Sequence, residues 1–225
     1  VARIARVLHE IAPDVIGLQE VYRPQAETLA AELGMGLVMG AVREGGPHGA
    51  YGNAVLSRLP VVRARAFDLS QRGREPRGGV WADLALGGLG LRLFNVHLGL
   101  RIGERAAQVA QLVDEHVGLA GAAGPRLLLG DLNEWFPGAV GRLLRREFQG
   151  GRVQRTHPSP VPLFALDRIY WDLALQAGRV HVHRSPLARI ASDHLPVVGR
   201  FRFALAPAPA VAAAPALDGR RERAG

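Results

Sequence analysis

RLLLGDLNEW, residues 126–135, opens as an apolar strand and closes on a carboxylate and an amide. Leu127–Leu129 read as a buried strand. Asp131 and Asn133 lie two apart in extended chain, so both side chains are expected on one face. An acidic acceptor beside an amide donor can orient a water and hold a phosphoryl oxygen. The same residues also suit a turn, because Asp and Asn bond readily to their own backbone. Repetition argues for more than a turn. Gln19 and Glu20 follow DVIGL, His97 follows LRLFNV, Asp167 and Arg168 sit inside LFALDRIYW, and Ser192, Asp193 and His194 precede LPVV. Polar groups carried by separate strand ends point to one converged site, since open α/β architectures bind ligands there.

The remaining chain supplies the scaffold. Ile4, Val7, Leu8 and Ile11 have helical spacing, predicting a helix over 1–12 that stops at Pro13. A second helix is expected over 24–33, opened by Pro24 and closed by Gly34. GLVMGAV, NAVLS, VVRARAFDL, GVWADLAL and LGLRLFNVHL read as strands, the last two joined through GGLG as a hairpin. Helices are expected at 103–120 and 138–147, and closing strands at RIYWDLAL, RVHVH and VVGRFRF. From Ala204 the chain alternates Ala and Pro and ends in arginines, a composition expected to be disordered. The reading is one domain over 1–203 with a tail at 204–225.

Bulk properties exclude some chemistries. The chain has 225 residues, 48% of them hydrophobic, enough for one full core. It lacks cysteine, so disulfides, thiolate zinc sites and cysteine nucleophiles are out. No apolar run approaches the roughly 18 residues of a membrane span. A monomer with a cytoplasmic location is expected. The net charge of +8 favours phosphate-rich partners. Every basic residue is arginine, however, a pattern that coding bias also explains, so charge alone assigns no nucleic-acid partner.

The candidate residues divide by chemistry. Glu20 suits Mg²⁺, which takes one or two carboxylates plus water and substrate phosphate. His194 suits proton transfer near neutral pH, with Asp167 as its orienting acceptor. His97 can donate to a phosphoryl oxygen or protonate a leaving group, with Glu75 as its partner. Arg77 is a candidate phosphate clamp. Asn53, after the glycine-rich GGPHGAYG, is a candidate substrate contact, although that loop reads equally as a hairpin tip. His48 is expected to be solvent-exposed and inert, while His157, His181 and His183 show no pairing and are read as structural. So are Trp81, Trp135 and Trp171.

Taken in order, QEV, YGNAVLSRLPV, EPRGGVWADL, NVHLG, GDLNEW, LDRIYW and SDHLPVV resemble the endonuclease/exonuclease/phosphatase superfamily over residues 1–203. The resemblance implies an α/β (α+β) DNase I-like fold, a four-layer α/β/β/α sandwich of two mostly antiparallel sheets. It implies Mg²⁺-dependent phosphoester hydrolysis, with Mn²⁺ as a possible substitute. Glu20 and Asp193 would be the metal residues. Asp131 and Asn133 would orient water and contact phosphate, and Asp167–His194 would be the proton-transfer dyad, His194 acting as base or, in some schemes, acid. His97 would be the second histidine, with Glu75 beside it. Such proteins normally open with a strand carrying an asparagine that completes the metal site. This chain starts at the following helix, so a central strand of one sheet and part of the metal site are expected to be missing. Substrates left open are nucleic acid, phospholipid and nucleotide headgroups. A catalytically weak member that only binds phosphate ligands is the alternative.

Overall fold

The computed structural model describes residues 1–45, 47–117 and 124–203. The expected tail and the end of the 103–120 helix therefore lie outside the described residues. Helices are α1 (Ala2–Ile11), α2 (Arg23–Leu33), α3 (Ile102–Leu112), α4 (Ala139–Glu147) and the short α5 (Ala188–Ala191). Strands are β1 (Val15–Tyr22), β2 (Gly36–Arg43), β3 (Tyr51–Ser57), β4 (Val61–Asp68), β5 (Gly78–Leu86), β6 (Leu89–His97), β7 (Arg126–Asp131), β8 (Gln149–Gly150), β9 (Asp167–Trp171), β10 (Leu175–Val182) and β11 (Val197–Phe203).

Most sequence signals act as read. Gly34 caps α2 with a left-handed φ of 62°. Gly87 and Gly88 take φ of 55° and 82° between β5 and β6, as a tight two-residue hairpin turn requires. Two readings change. RIYWDLAL is not one strand: β9 stops at Trp171, and the chain turns through Asp172 before β10 begins at Leu175. The 103–120 helix loses α geometry after Leu112, where one π turn spans Val113–Val117.

Four layers form because each strand alternates its faces. One sheet has six strands in the order β4-β5-β6-β7-β9-β8. Phe94 and Val96 of β6, Leu128 of β7 and Tyr170 of β9 point outward and pack with Val109, Leu112, Val140 and Leu144 of α3 and α4. The intervening residues Leu93, Leu127 and Ile169 point inward and meet Val55 of the second layer. On that layer's outer side, Ala5 and Leu8 of α1 pack with Leu29 and Leu33 of α2.

The second layer is split. It consists of β1-β3-β2 and, separately, β10-β11. Among the described residues, β1 pairs only with β3 and β11 only with β10, leaving the second edge of each of these strands unpaired. A cavity of about 990 Å³ lies between them, with Ile16 and Leu18 on one side, Val197 and Phe201 on the other, and Leu129 and Ile169 among its lining.

One side chain joins the sheets across the middle. Asn95 is fully buried on the inward face of β6. Its amide donates to Leu18 O and Ala54 O, each at 2.9 Å, and its Oδ1 accepts from Gln19 Nε2 at 2.6 Å. Contact is so close that a Cβ on Gly17 would lie 2.1 Å from Leu129 Cδ1 and 2.9 Å from Asn95 Oδ1. A side chain at Gly130, whose φ is 144°, would meet Val96 O at 1.9 Å. The second of these glycines permits the tight β6–β7 pairing that sets the register of the site.

Candidate active site

Three strands deliver a row of polar side chains in register. His97 on β6 pairs with Asp131 on β7, and Asp131 pairs with Asp167 on β9. Because β6 and β7 are parallel and β9 runs the other way, His97 and Asp131 close their strands while Asp167 opens its own. All three continue the inward face, alternating with outward residues such as Val96 and Arg168. Alternation also decides the fate of Arg168. It does not neutralise Asp167 but is buried on the opposite face, where its guanidinium donates to Glu134 O at 3.2 Å.

Backbone geometry re-aims two further residues. β1 carries an irregularity between Leu18 and Val21, and Glu20 within it has φ of 54°. Such a bulge turns a side chain that regular alternation would place elsewhere. The Glu20 carboxylate stands 58% exposed, its Oε1 3.9 Å from His97 Nδ1. Asn133 has φ of 49° and follows the end of β7. It therefore does not share an extended strand with Asp131, as the sequence suggested. Its backbone N–H donates to Asp131 Oδ1 at 2.9 Å, and this turn brings the two together.

Asn133 uses both amide donors inside the protein. They reach Leu98 O at 2.9 Å and His97 Nε2 at 3.2 Å. With Nε2 accepting, the His97 proton sits on Nδ1, facing Glu20. Burial, then the charges of Arg77 and His194, push the His97 pKa down to about 3. His97 is neutral at physiological pH.

His194 is its opposite. Its Nδ1 lies 2.9 Å from Asp167 Oδ2. Burial alone would lower its pKa, but the hydrogen bond to Asp167 and the charges of Asp167, Asp131 and Asp193 outweigh it and raise the value to about 9. Asp131 is raised too, chiefly by burial and then by the Asp167 charge beside it. These directions belong to the metal-free protein.

One expected partnership differs in the structure. Glu75 does not orient His97; it pairs with Arg43 at 2.8 Å and Arg77 at 3.0 Å. Two guanidiniums out-compete a neutral imidazole for one carboxylate. Among the described residues no group of three or more donors contains both Glu20 and Asp193. Among the described residues, the one set of three or more His, Asp or Glu donors within ligand reach is His157, Asp193 and His194. Glu20 rides on β1 and Asp193 precedes β11, so the two belong to the separate pieces of the second layer.

The other candidates line the edge of the site. Asn53 is buried and spends its amide on Gly78 O at 2.8 Å, tying β3 to β5. With Glu20, Tyr51, Arg77 and His97 it lines a narrow cleft. Arg77 is buried and its Nε has no hydrogen-bond partner. Sequence reasoning missed Asn95 and His157. Asn95 had a signal, since it stands two before His97 inside an apolar strand and so shares its face. His157 had none in the sequence around it.

With this geometry in place, similarity to known proteins becomes informative. The family model described as "Endonuclease/Exonuclease/phosphatase family" matches residues 1–194. The chain belongs to the endonuclease/exonuclease/phosphatase family. A curated relative, "Uncharacterized protein YbhP" of Escherichia coli strain K12, is 37% identical over 162 residues, covering 67% of this chain and 62% of YbhP. The chain thus spans somewhat less than two thirds of the curated relatives it matches. Among solved structures, a mannosyl-6-phosphatase from Bacteroides thetaiotaomicron VPI-5482 superposes with TM-score 0.77 at 20% identity, covering 89% of each chain. The human Nocturnin catalytic domain, with a bound sulfate anion, superposes with TM-score 0.74 at 19% identity, covering 90% of this chain and 85% of that one. These likenesses establish the DNase I-like layered fold for this family member. Among the described residues no helix is long and apolar enough to cross a membrane.

Proposed function

We propose that this family member is a divalent-metal-dependent phosphoesterase, cleaving phosphate esters by attack of water at phosphorus. The observation that carries the reading is the in-register row His97–Asp131–Asp167 with His194 bonded to its last member. It gathers one neutral histidine, one protonated histidine and two facing carboxylates at one end of a sheet. The named relatives that act on or bind tetrahedral oxyanions, a phosphatase and a sulfate-bound domain, support the same class.

The donor chemistry suits a hard cation. The Glu20 carboxylate is exposed and faces the neutral His97, while Asp131 and Asp167 crowd one another. This surplus of negative charge invites an ion such as Mg²⁺ or Mn²⁺. Glu20 and Asp193 would hold it together with water and substrate phosphate, and bound there it would polarise a phosphoryl oxygen.

The side chains divide the remaining work. Asp131, whose carboxyl is raised toward neutrality, orients the attacking water and accepts its proton. His194, protonated and held by Asp167, donates to the leaving oxygen. That gives His194 the acid role. His97 presents Nδ1–H to a phosphoryl oxygen and Arg77 supplies fixed positive charge beside it. Asn133 is a positioning residue that locks the His97 tautomer.

The test is hydrolysis of a chromogenic phosphodiester and monoester with Mg²⁺, with EDTA, and in His194→Ala. Removing the metal or His194 should each lower turnover by about 10²–10⁴-fold. Activity that survives both defeats the mechanism, and phosphate binding without turnover favours the non-catalytic alternative. DNA and RNA tested at two salt concentrations would add the substrate class, since a nucleic-acid contact weakens with salt.

A further inference from the structure

His157 lies outside the machinery just described, yet the fold fixes it against His194. Backbone bonds fasten its segment to the His194 loop: Leu195 N–H donates to Thr156 O at 2.9 Å and Ser159 N–H to Asp193 O at 2.7 Å. His157 is itself pinned, its N–H donating to Phe164 O at 3.1 Å and its carbonyl accepting from Leu163 and Phe164 at 2.8 Å each. Its ring centroid is 4.6 Å from that of His194, the planes inclined at 45°. One ring nitrogen from each histidine and a carboxylate oxygen of Asp193 lie within 4.8 Å of one another. In addition, His157 Nδ1 is buried with no hydrogen-bond partner. An orphaned buried nitrogen ordinarily costs about 1–3 kcal/mol, so something is expected to compensate it.

We propose that His157, Asp193 and His194 form a second cation site, selective for a transition-metal dication of the zinc class, and that filling it inhibits hydrolysis. Two imidazoles and one carboxylate are a borderline donor set. Zn²⁺, Co²⁺, Ni²⁺ and Cu²⁺ take it readily, whereas Mg²⁺ prefers oxygen and water. A tetrahedral Zn²⁺ with bonds near 2.0–2.1 Å sets its ligands about 3.4 Å apart. Torsion of the exposed Asp193 side chain, steadied by the Ser192 hydroxyl at 3.2 Å, can close the remaining gap. A water would complete the coordination.

The inhibitory consequence rests on the role proposed for His194; the binding claim does not. His194 gives Nδ1 to Asp167, so Nε2 is the nitrogen left for a ligand. Zn²⁺ there displaces one proton to solvent and occupies the lone pair through which His194 exchanges protons. It also competes for Asp193, which the hydrolytic ion needs. No redox change is involved.

The experiment is a Zn²⁺ titration of the EDTA-stripped, desalted protein against a chromophoric chelator, without substrate, in the unsubstituted chain and in His157→Phe. Phenylalanine keeps the ring packing and removes the nitrogen. Zinc affinity should fall at least about tenfold. In saturating Mg²⁺, the zinc concentration halving hydrolysis should rise by a similar factor, each rate being referred to the same variant without zinc. Equal affinities overturn the site. Should His157→Phe fail to fold, ring resonances of the unsubstituted protein decide: zinc must shift His157 and His194, and shifts confined to other histidines overturn the proposal. A protein that binds zinc through His157 but hydrolyses nothing sinks the proposed function and leaves the metal site standing.

Discussion

The two ends of the six-stranded sheet use aspartates to opposite effect. One end carries the row His97–Asp131–Asp167. Along the same strands, about 17 Å away, lie Arg92, Arg126 and, just past β9, Asp172. There every carboxylate has a guanidinium. Asp83, the register partner of Arg92, receives its Nε at 2.6 Å and Nη2 at 2.8 Å, with Arg63 adding a third contact at 3.1 Å. Asp172 accepts the Arg126 N–H at 2.6 Å and its Nη2 at 2.9 Å. Hydrogen bonding to Arg92 prevails over burial and holds the Asp83 carboxyl below its usual range. Asp131, on the same sheet, is pushed the other way. The arginine end balances its charge within the chain. The histidine end leaves charge over, to be balanced by a proton, a cation or a substrate. The proposed function occupies the end that the fold does not neutralise.

The sharpest way to break this contrast is Asp131→Asn. Activity should fall about 10³-fold, since the group that takes the water's proton is gone. Stability measured by urea unfolding in EDTA should rise by about 1–2 kcal/mol, because the crowding with Asp167 is relieved while the Asn133 N–H keeps an acceptor. If Asp131→Asn proved less stable than the parent, the surplus charge at this end would not be a cost of function.

At the other end the signs should reverse. Asp172→Ala strips the Arg126 N–H and guanidinium of their principal acceptor. A loss of about 2–3 kcal/mol is expected in urea unfolding, as for any buried donor set left unpaired. Turnover per folded molecule should change less than about twofold. An activity loss out of proportion to stability would mean that the two ends are coupled through the strands.

The histidine end was legible in the sequence because strand-end polar residues interrupt apolar runs. His97, Asp131, Asp167 and His194 needed only strand boundaries and the two-residue alternation. Partnerships were less legible, because they depend on which chemistry wins a three-dimensional competition. Glu75 goes to Arg43 and Arg77 rather than to His97. Asp172 looked like one more strand residue, and its turn is fixed by Arg126, distant in sequence. His157 is brought to His194 by backbone bonds between two irregular segments, which leave no periodic trace. The layered fold itself was readable from the order of strands and helices. The bulge that re-aims Glu20 was not, since QEV carries neither glycine nor proline to announce it.

The smallest expected effect is also the one that compares the ends in a single titration. Asp83 has a folded pKa depressed below its unfolded value near 3.9, so its contribution is present above that pH and lost as pH falls through the folded pKa. The pair is partly exposed, so the contribution should be about 1 kcal/mol. Urea unfolding of the parent and Asp83→Asn should therefore differ by about that amount near pH 6, with the gap shrinking as pH drops below about 4. A gap that stays constant into acid would mean that Asp83 is held by shape rather than by charge. The same titration on Asp131→Asn in EDTA should run in the other direction. A carboxyl with a raised folded pKa binds its proton more tightly in the folded state, so the parent loses stability relative to the variant as pH rises. Opposite slopes from two aspartates on strands of one sheet are what unequal neutralisation of its two ends requires.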